Sequence, residues 1–125
     1  MFLKDRATVF VSRPSKADPY DVVFDRYDLR DVMIFEKKAS GADGRDEGKC
    51  VIYFFPKRSH ILGCSARGTE CEFPEFRPGD RCVIGVCRGN FNPKNDEDGI
   101  CCRIVSVEKR FCGSENAHHI VIEAV

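Results

Sequence analysis

Tyr53, Phe54 and Phe55 follow one another in KCVIYFFP, with Lys57, Arg58 and His60 close behind and Arg67 a little further on. Aromatic rings beside cations suit a single-stranded nucleic acid, because bases stack on the rings and phosphates meet the charges. The same triplet also suits a core strand, and Lys or Arg in a turn is ordinarily just solvated. His118-His119 offers metal ligation or acid–base chemistry. Neighbours on a strand point to opposite faces, however, so only one of the two can serve a given site. Asp96-Glu97-Asp98 could hold a divalent ion, although three acids in a loop closed by Gly99 also solvate a turn.

The eight cysteines are Cys50, Cys64, Cys71, Cys82, Cys87, Cys101, Cys102 and Cys112. An even count raises the question of disulfides. Most of them lie inside apolar strand patterns, where a free thiol behaves as a small hydrophobe. No C-x-x-C knuckle is present, and Cys82 and Cys87 fall on opposite faces of one strand, as do Cys101 and Cys102. Reduced core thiols are therefore expected, with no metal and no cofactor. A cysteine nucleophile needs a base within reach, and nothing in the linear order sets His60 or His119 beside a particular cysteine. No G-x-S-x-G, P-loop or dinucleotide fingerprint occurs. The chain reads as non-enzymatic, without catalytic residues.

These residues sit in a series of short strands. RATVFVS at 6–12 alternates and is closed by Arg13-Pro14. Asp18-Pro19 offers a helix start, with Tyr20, Val23, Phe24 and Tyr27 on one helical face. The β-branched and aromatic VVF pulls the same stretch toward a strand. Asp31–Phe35 has strand length, and 37–48 (KKASGADGRDEG) reads as a charged, glycine-rich, flexible loop. From Lys49, Val51, Tyr53 and Phe55 share one face while Cys50, Ile52 and Phe54 share the other. Both faces are apolar, which suits a central strand or one whose outer face binds something. Pro78-Gly79-Asp80 suits a type II bend, with Gly79 supplying a positive φ. Arg81–Cys87 should pair with Ile100–Val107, with Asp98-Gly99 at the return. Gly85 marks a bulge or corner. A last strand, HHIVIEAV, puts His119, Val121 and Glu123 on one face.

Charge and length set the wider limits. At 125 residues and zero formal charge, one domain is expected and no global field attracts nucleic acid. Residues 49–90 hold seven basic and four acidic side chains between two slightly acidic flanks, a weak basic patch. MFLKDRATVFV carries charges at Lys4, Asp5 and Arg6 before an apolar run could reach signal-peptide length. No stretch approaches the roughly 20 apolar residues of a membrane span. A cytoplasmic or nuclear setting without membrane contact is the expectation.

Residues 49–107 resemble the barrel core of cold-shock and S1-type OB folds. In both, an aromatic strand is followed by a hairpin, a P-G-D turn into a hydrophobic strand (here RCVIGV), and a closing strand (here ICCRIVSVE). The resemblance implies a nucleic-acid face on the aromatic strand and its hairpin, using Tyr53, Phe55, Lys57, Arg58 and His60. The lysine-glycine-tryptophan-phenylalanine opening and the phenylalanine-valine-histidine motif of cold-shock proteins do not occur. Gly79-Asp80-Arg81-Cys82, with Asp98-Gly99 and Cys102-Arg103 through Val107, is similar to the first hairpin of Tudor domains. Those modules hold methylated arginine or lysine in an aromatic cage. Cys102 stands where an aromatic is common and the F-x-D-Y-G-N run is missing, so the Tudor likeness implies a scaffold without a cage. VMIFEKK, the acidic loop and KCVIYFFP also resemble the opening hairpin of longin-type trafficking subunits.

The expectation is a single all-β domain over 1–125, a small antiparallel OB-like or SH3-like barrel. Its core would be five strands at 49–125, its N-terminal extension 1–36 would be strands or a short helix, and 37–48 would be a flexible loop. The first expected function is binding of RNA or single-stranded DNA through Tyr53, Phe55, Lys57, Arg58, His60 and Arg67. The alternative is a protein-interaction or scaffold subunit, Tudor-like or longin-like, with an exposed apolar patch or open strand edge. Exposure of Tyr53 and Phe55 beside Lys57 would favour nucleic acid, and their burial the interaction subunit.

Overall fold

The structure is a computed structural model that describes residues 3–40, 46–63, 74–89, 91–96 and 99–125, with 37–40 and 46–48 described by backbone alone. Among the described residues seven strands carry it: β1 (Asp5–Pro14), β2 (Val22–Ser40), β3 (Asp46–Phe54), β4 (His60–Gly63), β5 (Arg81–Ile84), β6 (Cys102–Arg110) and β7 (His119–Ala124). No α-helix occurs among the described residues; the only helical pieces are 3-10 turns at Pro93–Asn95 and Glu115–Ala117. Accordingly no helix there is long and apolar enough to cross a membrane.

All pairings are antiparallel. Following the hydrogen bonds gives β1-β5-β6-β7-β3-β2, and β2 returns to β1, so six strands close a barrel while β4 lies outside against β2. Closure leaves none of those six as an open edge. The first 40 residues supply two full staves, and the 22–30 stretch is strand rather than helix. Its neighbours explain this: β1 pairs residue by residue from Arg6↔Arg30 to Pro14↔Val22, so the strand preference of VVF is met by a partner. Charged residues 37–40 and 46–48 continue the β2–β3 ladder as far as Ser40↔Asp46, because backbone pairing there extends an established hairpin.

β2 runs 19 residues and must bend to serve both β1 and β3. The bend falls at Asp31, which takes φ 55°. There the β1 register slips from Asp5↔Val32 to Arg6↔Arg30, leaving Asp31 as an unpaired bulge residue, and aspartate is one of the few side chains that tolerate this region. Across β2's other edge the chain makes a matching excursion between β3 and β4. Ser59 is buried in it, accepting from the Phe55 N–H (2.9 Å) and donating to the Asp31 carbonyl (2.6 Å).

Inward positions alternate as period two requires. Ala7 and Val9, Leu29 and Val32, Ile52 and Phe54, then Ile104, Ile120, Ile122 and Ala124 fill the interior. Ile61 from β4, Phe76 and Cys82 join them. β5 is only four residues long and is set by the turns around it. Before it, Arg77-Pro78-Gly79-Asp80 closes with Asp80 N–H on the Arg77 carbonyl (3.1 Å) and Gly79 at φ 98°, the expected type II bend. After it, Gly85 at φ 88° donates to the Arg6 carbonyl (2.8 Å) and turns the chain out of the barrel wall.

Candidate functional site: an aromatic face on the barrel exterior

The outward residues of β3 are Val51 and Tyr53, since Ile52 and Phe54 point into the core. The register sets Met33 opposite Tyr53 and Phe35 opposite Val51 on one side, and Val121 opposite Tyr53 and Glu123 opposite Val51 on the other. Three strands, β2, β3 and β7, thus share one outer face. Phe35 and Tyr53 meet edge to face, with ring centres 5.7 Å apart. Tyr53 then meets His119 at 5.9 Å, and His119 meets Phe55 at 5.5 Å. Between these rings lies a hollow of about 410 Å³ floored by Val51 and Val121 and walled by Phe35, Tyr53 and Arg110. Both valines are nearly covered, whereas Phe35 remains 50% exposed.

The rim of this hollow is charged. Lys49 Nζ lies 3.1 Å from Glu123 Oε2, and Arg110 Nη2 lies 3.1 Å from Glu108 Oε2. Hydrogen bonding from Lys49 holds the Glu123 carboxyl below its ordinary range. Beside Phe55, Lys57 Nζ stands 3.5 Å from Glu115 Oε2. Glu36, also on the rim, has no ion pair among the described residues.

The sequence-derived candidates divide. Tyr53 is on the aromatic face and half-buried. Phe55 is 7% exposed and packs under His119, so its ring is closed to a stacking base. Lys57 and Arg58 are exposed on the turn after β3. His60 begins β4 on a different part of the surface, with Nε2 3.7 Å from an Asp31 carboxylate oxygen. Arg67 lies outside the described residues. Phe35 was missed as a partner of Tyr53, although its place in the apolar run 31–35 was readable. Only the β2–β3 register brings the two rings together.

The other groups resolve as structural features. His119 Nδ1 is 3.0 Å from the Ala117 carbonyl and His118 Nε2 is 3.3 Å from that of Gly113, on a turn where Phe111 stacks on His118 at 5.3 Å. Asp96 accepts from the N–H groups of Ile100 (3.0 Å) and Cys101 (2.9 Å), capping its own loop. Glu97 and Asp98 lie outside the described residues, as do Cys64 and Cys71. No cluster of histidine, cysteine or carboxylate ligands able to hold a metal occurs among the described residues. The six described cysteines are free thiols. Compared with protein-family models, with curated proteins and with solved structures, the chain matches none.

Proposed function

We propose that this barrel is a non-enzymatic binding module that docks on another protein through the face formed by Phe35, Tyr53, Val51 and Val121. The observation that carries this reading is Phe35, a large aromatic left half in water at the edge of a hollow floored by Val51 and Val121. Aromatic anchors in such hollows supply most of the binding energy of small interfaces. Replacing Phe35 and Tyr53 together by alanine should weaken partner retention by about 2 kcal/mol or more, roughly thirtyfold. The measurement is quantitative affinity capture from extract, comparing wild type with F35A/Y53A and with a control change at Tyr20, which is 95% exposed and does not line the hollow. If the same proteins are retained equally by all three, the aromatic face is not the docking surface.

The nucleic-acid reading has one observation in its favour. Lys57 and Arg58 are exposed on the turn that follows Tyr53, where a strand stacked on that ring would pass. It predicts retention on immobilised RNA at low salt, reduced about tenfold or more when both residues are reversed to glutamate. Unchanged retention in K57E/R58E would remove this reading.

A further inference from the structure

On the outside of β1, β2 and β4, away from the aromatic hollow, the registers align three basic side chains in one cross-strand row: Arg6↔Arg30 and Arg30↔His60. Directly opposed residues on paired strands point the same way, with Cβ atoms about 5 Å apart, so two guanidinium groups are brought together. Like charges so placed repel unless something negative sits between them. Neither guanidinium has a hydrogen bond or ion pair with any described residue.

The row borders a hollow of about 340 Å³ whose lining includes Arg6, Arg26, Arg30, Thr8, Asp28 and the Gly85–Cys87 segment. That segment is fixed in place. Gly85 N–H donates to the Arg6 carbonyl, while Arg26 reaches across to the carbonyls of Cys87 (2.9 Å) and Arg88. Arg26 also pairs with Asp28 at 3.1 Å, and Thr8 donates to the same carboxylate oxygen at 2.7 Å. Asp28 is thereby neutralised, and Arg26 is fully engaged. Asp5 and Glu36 line a second hollow with Arg6, and Asp5 accepts from the Ile34 N–H (2.9 Å). Asp31 faces His60. Arg6 and Arg30 are the cations of this surface left without an ion-pair partner among the described residues.

The geometry points to an oxyanion site: Arg6 and Arg30 together bind a phosphate dianion, either the free ion or the terminal group of a phosphomonoester. Two guanidinium forks match the charge and oxygens of one phosphate dianion. Asp28 and Asp31 flank the row, so a polyanionic backbone running along β2 would meet a carboxylate on either side. The site is independent of the aromatic face.

The test is an NMR titration of the full chain at constant ionic strength with inorganic phosphate, with O-phosphoserine, and with a short single-stranded DNA lacking terminal phosphate. Saturable shifts at Arg6, Arg30 and Gly85–Cys87 are expected with the first two. Tighter O-phosphoserine identifies an esterified phosphate as the natural form; tighter inorganic phosphate identifies the free ion. In R6Q/R30Q, where both changes are on exposed side chains, affinity should fall about tenfold or more. In R30K it should fall severalfold, because the charge stays but the fork is lost. Phe35→Asp and Arg103→Gln should leave it unchanged. Non-saturable shifts, equal affinity in R6Q/R30Q, or tighter binding of the DNA through these arginines would overturn the assignment.

Discussion

Changing Asp80 to alanine should lower the unfolding free energy by about 3 kcal/mol and the thermal midpoint by roughly 10 °C, the largest loss expected from any single polar group here. The side chain is 1% exposed. Its Oδ1 accepts from Ser12 N–H (3.2 Å) and Ser12 Oγ–H (3.1 Å), and its Oδ2 accepts from Arg77 N–H (2.9 Å). Arg77 in turn donates from Nη2 to the Ser12 carbonyl (2.7 Å). The backbone of the same turn holds β6, through Ile104 N–H to Asp80 O and Gly79 N–H to Ile104 O, both 2.8 Å. One carboxylate therefore ties the end of β1 to the turn that launches β5 beside β6. Alanine leaves two backbone donors without an acceptor, which costs more than the bonds themselves contribute. Asparagine at this position keeps the size but turns an NH₂ toward one of those donors, so D80N should fall between wild type and D80A. Ser12→Ala removes only the hydroxyl and should cost about 1 kcal/mol. Urea unfolding of the three variants decides the matter. If D80A costs no more than S12A, the carboxylate is not the tie.

The contrast within Asp80 shows what a sequence carries and what it does not. Pro78-Gly79-Asp80 is readable as a type II bend because Gly79 and Pro78 are local constraints on φ. That the Asp80 carboxylate reaches Ser12, 68 positions away, depends on barrel closure, and closure is a sum of registers that no local signal fixes. The same division runs through the fold. Alternation at 49–55 and 119–124 pointed to the all-β class and sorted each strand into two faces without saying which turns inward, and Gly85, read as a bulge or corner, has φ 88°. Residues 18–30 were ambiguous because Asp18-Pro19 and VVF vote for different elements, and pairing with β1 decided for strand. Asp31 carried no sequence signal as a bulge, since nothing local shows that two registers disagree there. At the aromatic face, the exposure of Tyr53 was left open by the sequence, whereas His119 shares a face with Val121 and Glu123 as the alternation required. Phe35 completes the hollow only through a diagonal contact across strands. Burial of Phe55 was not legible either, because the chain leaves β3 one residue earlier and tucks this ring beneath His119.

Cys102 should alkylate with a pH profile centred near 6, far below that of an ordinary thiol. It faces the barrel interior directly opposite Cys82, its Cα partner on β5, with Cys50 of β3 alongside. The Cys82 thiol and then the Cys50 thiol donate to the Cys102 sulfur, and these bonds outweigh burial and lower its pKa to about 6. Of the three sulfurs, the central one is therefore expected to ionise first. Cys50 is correspondingly pushed up to about 11, mainly by burial, and Cys82 is raised further by its bond to Cys102. Absolute rate is a poor diagnostic, because a less basic thiolate is also a weaker nucleophile. The profile is the better one: between pH 5 and 7 the rate of iodoacetamide labelling at Cys102 should rise about tenfold and then level off. Stability follows by linkage. The pKa is lowered on folding, so the thiolate's contribution is complete above pH 9, the unfolded value, and is lost as pH falls through about 6. Cys50 and Cys82, raised on folding, act in the opposite sense only above pH 9, so unfolding measured from pH 6 to 9 should show stability rising with pH. Cys82→Ala removes the stronger donor and should move the labelling midpoint upward. Cys50→Ala, at a half-buried position, should move it less and serves where C82A compromises folding. A wild-type midpoint above 8 at the Cys102 peptide, or one that neither variant shifts, would show that the charge does not reside there.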